Sequence, residues 1–377
     1  MKVELIGPLP PLRGGISQYN NSLLLALRKQ GHDVLPVSYR VLYPSFMFPG
    51  SSQFDQSTNA PDGSLTTLTA WNPLSWKSAD ARIRQHGATH IIFEHWHPFF
   101  VPCLRYLATH SNAQRTTVIA HNVLPHENAG LGKFLNPLLF READKVIVGA
   151  SEQLVQLNAL LPECKGEVVP HPAYDRFFTG HSDQSALDRH LEARRRLTIP
   201  TDIPYFVHLG LVREYKGVDI LLQAAAKLTF DYRLDIIGEF YDKPEAYHLL
   251  HKELHLGDRV RIEDRYLNDE EMADRILAAD AVVLPYRHAT QSGVAMAALA
   301  GGCPIIASGT GALADLVKEG ENGILAQAGD IDSLADAITR FTKPSPSDWR
   351  QRREAVSNRT LKQYSWDSLV NRIMETV

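Results

Sequence analysis

FVHLGLVREYKGVDILLQAAAKL, residues 206–228, is the stretch whose reading decides the fold. An apolar run ends at Gly210, Arg213 and Lys216 follow, and Gly217 opens an amphipathic segment of helical spacing. A buried strand passing through a glycine-bearing turn into a helix is half of a β-α-β unit. At such a turn the free N–H groups of the first helical residues and the helix dipole point outward and form an anion site. Two cations in the turn suit an anion carrying more than one charge, such as a diphosphate. The same two residues also fit a solvated loop, and the turn alone does not choose between these readings.

Working outward, the pattern repeats along the chain. KVELIG, HDVLPVSY, HIIFEHW, TTVIAH, KVIVGA and EVVPH are followed by PYFVHLG, RLDIIG, RVRIED, AVVLPY, PIIAS and GILAQ. Runs this apolar, separated by helical patterns, predict parallel strands buried on both faces, in two sets of about six. Between the sets lies a polar stretch, FFTGHSDQSALDRHLEARRRLTIPTDIP, bounded by proline, which reads as the entry to a second domain. The expected organisation is therefore α/β, with two Rossmann-like doubly wound halves. Residues 1–170, completed by a helix at 362–377, form the first half, and residues 171–361 form the second. Each half should take a ligand at the carboxyl ends of its strands.

Bulk properties narrow the function. The chain has 377 residues, 44% hydrophobic and 22% charged, as in an ordinary globular protein. A net charge of −4 provides no global basic field for nucleic acid. Cys103, Cys164 and Cys303 have no paired spacing, which argues against a zinc site or disulfide framework and fits a reducing compartment. MKVELIG reads as a strand and not as a signal peptide. No apolar run reaches the roughly 20 residues that cross a bilayer, and peripheral membrane contact stays compatible with that. A cytoplasmic location is expected.

Five further stretches carry chemistry, each with a plain structural alternative. After the first strand, PLPPLRGGISQY places Arg13, Gly14 and Gly15 before a helix expected to start near Ser17; the glycines admit a ligand to the backbone or serve as a hinge. The spacing is not that of a dinucleotide fingerprint. HNVLPHE puts His121, His126 and Glu127 past a strand end, where His121 either meets a substrate hydroxyl or caps a loop. In FEHWHPFF, His95 and His97 share a face if the strand continues. Two histidines alone make a poor metal site, so a polar wall or packing around Trp96 is favoured. In ATQSGVAMAALAGG, Ser292 is an N-cap for a nearly all-apolar helix starting at Gly293. Its buried N-terminus offers the N–H groups of Gly293 and Val294, with donors on Thr290, Gln291 and Ser292, to a phosphate; an ordinary capped helix is the alternative. Asp330 and Asp332 in GDIDSLADAI read as a helix start and not as a metal pair.

Taken together, PLPPLRGGISQY, HNVLPHE, GLVREYKGVDILLQA, ATQSGVAMAALAGGCPIIAS and the final YSWDSL resemble family-4 glycosyltransferases of the GT-B fold, glycosyltransferase group 1, over nearly the whole chain and in the family's order. The resemblance implies two Rossmann-like domains facing a central cleft, a last helix crossing back to the first domain, and a retaining enzyme. It implies a nucleotide-diphosphate-sugar donor on the second domain, a glycan or lipid-linked glycan acceptor on the first, and no obligatory metal or other cofactor. By this resemblance Arg213 and Lys216 neutralise the leaving diphosphate, His121 lies at the transferred sugar, and Gly14 and Gly15 lie beside phosphate and acceptor. Gly210, Glu239 and Tyr266 join the donor side, Tyr266 at the nucleobase. Arg13, His95, His97, His126, Glu127, Phe46 and Phe48 fall on the acceptor side. In VLYPSFMFPG, Tyr43, Phe46, Met47 and Phe48 either tuck onto the first domain or form an apolar acceptor wall. Three positions depart from the family pattern: Ala289 and Ala297 stand where two glutamates are usual, and Leu211 stands where an arginine often follows the glycine. Two alternatives stay open: a catalytically silent nucleotide-sugar-binding protein, which the missing glutamates suggest, and another GT-B activity, a nucleotide-sugar epimerase. A phosphorylase would need a phosphate cage, and none is found in the sequence.

Overall fold

The computed structural model describes residues 1–45, 52–55, 58–124, 129–174, 178, 184–241, 244–343 and 346–375. The chain divides into two compact units: Met1–Pro170 with Trp366–Val377, and His171–Ser365.

The first unit holds a seven-stranded sheet, all parallel. Its strands are β1 (Lys2–Ile6), β2 (Asp33–Val41), β3 (Leu65–Thr69), β4 (His90–His95), β5 (Arg115–Ala120), β6 (Lys145–Val148) and β7 (Gly166–Val168). Their spatial order is β3-β2-β1-β4-β5-β6-β7. The second unit holds β8 (Tyr205–Leu209), β9 (Arg233–Gly238), β10 (Val260–Asp264), β11 (Ala281–Leu284), β12 (Ile305–Ser308) and β13 (Gly323–Ala326), ordered β10-β9-β8-β11-β12-β13 and again parallel. Every residue of β4, β6, β8, β11 and β12 is buried, because helices cover both faces and each strand can be continuously apolar. In each sheet the order reverses beside the unit's first strand, between β1 and β4 and between β8 and β11. Loops leaving these strands part to opposite sides there, which opens the crevice where doubly wound sheets bind ligands.

Two sequence expectations need correction. The first sheet has seven strands where six were expected. The extra strand, LTTLT, lies at the sheet edge with only Leu68 buried, so it lacks the apolar run of a central strand. The helix expected at 362–377 begins at Trp366, because Lys362 and Gln363 finish the preceding helix, Pro346–Gln363. The polar stretch before β8, read as the entry to the second domain, lies within the second unit. It contains the helix Ala186–Arg196, whose fully buried Arg194 donates to the Ala278 carbonyl and to Asp280 at 2.7 Å within the second unit.

The terminal helix Trp366–Met374 packs Leu369, Val370 and Ile373 into the first unit's core beside Leu23 and Leu27 of the helix Gly15–Lys29. No helix among the described residues is long and apolar enough to cross a membrane.

Candidate functional site

In the second unit, the residues brought together at the β8/β11 reversal are those of the opening stretch and of the apolar helix. Gly210 leaves β8 with a φ of 104°, and Gly217 has a φ of 68°, both in the region that favours glycine. A Cβ on Gly217 would sit 2.1 Å from the Pro285 carbonyl oxygen, so the turn after β8 can lie against the end of β11 only with glycine there. Between the two glycines, Arg213 caps a short 3-10 turn, Glu214–Lys216. Lys216 is buried, with its Nζ 5.1 Å from the centre of the Tyr286 ring. A Cβ on Gly210 would meet Lys216 Nζ at 3.5 Å and Val294 Cγ2 at 3.4 Å. The ammonium, the glycine turn and the start of the helix Gly293–Ala300 therefore share one small space.

Burial pushes the Lys216 pKa down, and the nearby Arg213 adds to that. Among the described residues no carboxylate pairs with this ammonium. Arg213 is half-buried, its guanidinium 4.9 Å from the Tyr241 ring centre. Ser292 Oγ accepts from the Ala295 N–H at 3.2 Å and caps the helix Gly293–Ala300, whose last six residues are buried. That cap satisfies one N–H and leaves the first helical N–H groups, those of Gly293 and Val294, directed outward. Thr290 and Gln291 are half-buried in the preceding loop. Glu239 follows β9, and its carbonyl accepts from the Val212 N–H at 2.9 Å. Tyr266 lies in the loop after β10, 48% exposed.

Sequence reasoning missed two supports of this site. Arg287 donates to both carboxylate oxygens of Asp219, at 2.9 and 2.7 Å, and to the Glu214 carbonyl at 2.7 Å, while its own N–H donates to the Tyr215 carbonyl at 2.7 Å. This clamp ties the cationic turn to the loop after β11. Tyr174 is the second support: a Cβ on Gly293 would lie 3.0 Å from its ring, and its hydroxyl is 3.1 Å from His171 Nε2. Ala289 and Ala297 are buried, so no acid stands at either position. Asp330 caps the helix Ile331–Thr342, accepting from the Ser333 N–H at 2.9 Å, and Asp332 pairs with Lys227.

In the first unit, Gly14 has a φ of 116° and precedes the helix Gly15–Lys29, which starts two residues earlier than expected and has no side-chain cap. Among the described residues nothing lies within 4 Å of a Cβ built on Gly14 or Gly15, so they leave this N-terminus open. Arg13 is tied to Ser52 and Gln53, its N–H donating to the Gln53 carbonyl at 2.8 Å and its Nη1 to the Ser52 carbonyl at 3.4 Å. His121 follows β5, and its Nε2 is 2.5 Å from Glu94 Oε2. Glu94 is fully buried; burial pushes its pKa up, and His121 opposes that shift. The Tyr19 ring stands edge-on to His121 at 4.9 Å. Glu94 had a signal in the sequence, since it is an acid inside the otherwise uncharged run HIIFEHW.

His95 and His97 are not an acceptor wall on one face. The strand stops at His95, which is fully buried edge-on to Phe140 at 5.3 Å, its pKa pushed down to about 3 by burial. His97 caps the turn Pro98–Phe100, its Nδ1 accepting from the Phe99 N–H at 3.2 Å. Tyr43 is tucked, its hydroxyl accepting from Trp96 Nε1 at 3.0 Å. Phe46, Met47, Phe48, His126 and Glu127 lie outside the described residues.

Comparison with known proteins agrees with this geometry. Residues 203–343 match the family described as Glycosyl transferases group 1. A D-inositol 3-phosphate glycosyltransferase of Thermomonospora curvata is 29% identical over 253 residues, covering 62% of this chain and 56% of the relative. This chain spans about half the length of the curated relatives it matches. Among solved structures, the sucrose-phosphate synthase of Thermosynechococcus elongatus superimposes with a TM-score of 0.79 at 20% identity, covering 99% of this chain and 97% of that one. An Anabaena protein solved with UDP and glucose gives 0.75 at 15% identity, covering 99% and 98%. At these identities the structural likeness speaks for the fold, which is GT-B.

Proposed function

We propose that this chain, whose residues 203–343 match the family described as Glycosyl transferases group 1, is a retaining glycosyltransferase that moves a sugar from a nucleotide-diphosphate-sugar to an acceptor hydroxyl. The observation that carries this reading is Lys216, a buried ammonium without a carboxylate among the described residues, beside the N–H groups that open the helix Gly293–Ala300. A buried charge is tolerated when a ligand brings its partner, and a diphosphate does so. Charge accumulates on the diphosphate as the sugar–oxygen bond breaks, so Lys216 and Arg213 stabilise the transition state more than the bound donor. They supply what a metal ion would otherwise supply.

In this mechanism the acceptor attacks from the face the leaving group vacates, and the departing diphosphate takes the hydroxyl proton. His121 and the open N-terminus at Gly14 and Gly15 address the sugar and the acceptor. Thr290, Gln291 and Ser292 supply side-chain donors to the phosphates, Glu239 and Tyr266 extend the donor side, and Arg13 the acceptor side. The acceptor class is a glycan, a lipid-linked glycan or another polyol, at the cytoplasmic side of the cell and with peripheral membrane contact in the lipid-linked case. Relatives named for D-inositol 3-phosphate and a neighbour solved with UDP and glucose support the donor and polyol classes.

The test is calorimetry with UDP and ADP, then a screen of nucleotide-sugars for release of the diphosphate with no acceptor present. Affinity with release supports the transferase. Affinity without release, the outcome that the alanines at 289 and 297 favour, leaves a silent binder. Saturating EDTA should change turnover by less than about twofold, since fixed cations hold the diphosphate; loss of activity restored by magnesium overturns that point.

A further inference from the structure

Glu94 is a carboxylate in the middle of a parallel sheet, and the chemistry above gives it no task of its own. It is fully buried, its Oε2 is 2.5 Å from His121 Nε2, and its Oε1 has no hydrogen-bond partner among the described residues. Stability alone does not favour such a residue, because a buried carboxylate with one partner costs more desolvation than an apolar side chain of the same size.

The surrounding fold is shaped to keep it. Residues of β1, β4 and β5 alternate between the sheet's faces, and Leu5, Ile92 and Ile119 lie in the core beneath the helices Gly15–Lys29 and Trp366–Met374. Two residues further along the same face come Gly7, Glu94 and His121. A Cβ on Gly7 would sit 2.8 Å from Glu94 Cβ and Cγ and 2.7 Å from Asn20 Nδ2, so the exit of β1 has room for Glu94 only as glycine. The backbone of His121 is held on both sides: its N–H donates to the His95 carbonyl at 2.8 Å, and its carbonyl accepts from Gln153 Nε2 at 2.8 Å. Gln153 is itself buried and accepts from the Gly149 N–H at 3.0 Å. With the backbone held in this way and Tyr19 against the ring, Glu94 bears on which ring nitrogen carries the proton. The partner of one nitrogen decides that for the other.

We propose that Glu94 is the positioning residue of His121: it accepts the Nε2 proton, fixes that tautomer, and so makes Nδ1 the ring's hydrogen-bond acceptor toward a hydroxyl of the bound sugar. The negative carboxylate behind the ring strengthens Nδ1 as an acceptor when positive charge develops on the sugar. This assignment of Nδ1 rests on the transferase reading; the Glu94–His121 tautomer does not.

The experiment has two arms. In the first, long-range ¹H–¹⁵N correlation spectra of the full chain report the ring tautomer, and a His121→Ala spectrum identifies the His121 signal among sixteen histidines. Wild type should show the Nε2–H form, and Glu94→Gln, whose amide offers either role to Nε2, should show a mixture. In the second arm UDP-glucose is the probe. Glu94→Gln should lower the kcat for UDP release about tenfold at unchanged KM, Glu94→Asp should lose less, and in a His121→Ala background Glu94→Gln should change kcat by less than about twofold. An Nδ1–H tautomer in wild type overturns the proposal. So does an equal loss in both backgrounds, which marks Glu94 as a packing residue. If Glu94→Gln fails to fold, wild type and Glu94→Asp still decide the tautomer. If UDP-glucose is not turned over, the kinetic arm counts against the transferase reading while the spectra alone decide the pairing.

Discussion

The two units share a topology and differ in what they do with buried charge. In both, the informative side chains sit where strand order reverses, at β1/β4 in the first unit and at β8/β11 in the second. In the first unit the buried acid and the imidazole answer each other, Glu94 Oε2 to His121 Nε2 at 2.5 Å. In the second, Lys216 is buried against the Tyr286 ring with no carboxylate among the described residues. A compensated pair holds a ring in one state, whereas an uncompensated cation calls for an anion from outside. The same architecture can therefore serve as an orienting device or as an anion receptor, and the unanswered charge decides which.

The largest break in this comparison comes from Lys216. Lys216→Ala should cut release of diphosphate from a nucleotide-sugar by about a hundredfold or more, the scale for losing a transition-state charge contact. Lys216→Met, close in size and uncharged, should be equally inactive yet at least as heat-stable as the wild type by calorimetry, because an uncompensated ammonium leaves the interior. Near-normal turnover in either variant removes the diphosphate assignment.

His121→Ala sharpens the contrast from the other side. Turnover should fall by roughly ten- to a hundredfold while UDP affinity stays within about twofold, since His121 is assigned to the sugar and not to the phosphates. A matching loss of UDP affinity would move His121 out of that role.

Arg287→Ala tests whether the cationic turn needs its clamp. Turnover should fall about tenfold, and stability by only about 1 kcal/mol, because the Arg287–Asp219 pair is partly exposed. Unchanged turnover would show that Gly217 and the packing around Lys216 hold the turn without it.

The smallest effect is a pH dependence. Burial lowers the folded-state pKa of Lys216 below its ordinary 10.5. Between the lowered value and 10.5 the unfolded chain binds the extra proton, so this group makes the ligand-free protein more stable as pH rises through that window. Below the window its destabilising effect is complete. Chemical denaturation across this range should show the rise in wild type, less of it with saturating UDP, and none of this contribution in Lys216→Met. A rise that Lys216→Met retains in full belongs to other groups.

The sequence by itself determined the elements with local causes. Apolar runs marked twelve of the strands, Ser292 announced a cap, Asp330 a helix start, and Gly210 and Gly217 the turn after β8. These follow from side-chain periodicity, capping and glycine's access to positive φ, which act within a few residues. Only the tertiary structure decided the rest. β3 was illegible because an edge strand with one buried residue reads like a polar loop. His95 and His121 look alike in the sequence, yet the fold buries one against Phe140 and sets the other on Glu94, 27 residues away. Asp219 and Arg287 are 68 residues apart, and the tight fit at Gly293 shows only against Tyr174. A charged or aromatic side chain carries the same local signature whatever its distant partner. Which partner it meets depends on strand order and on the space left between packed layers, and neither is encoded within the reach of a turn or a cap.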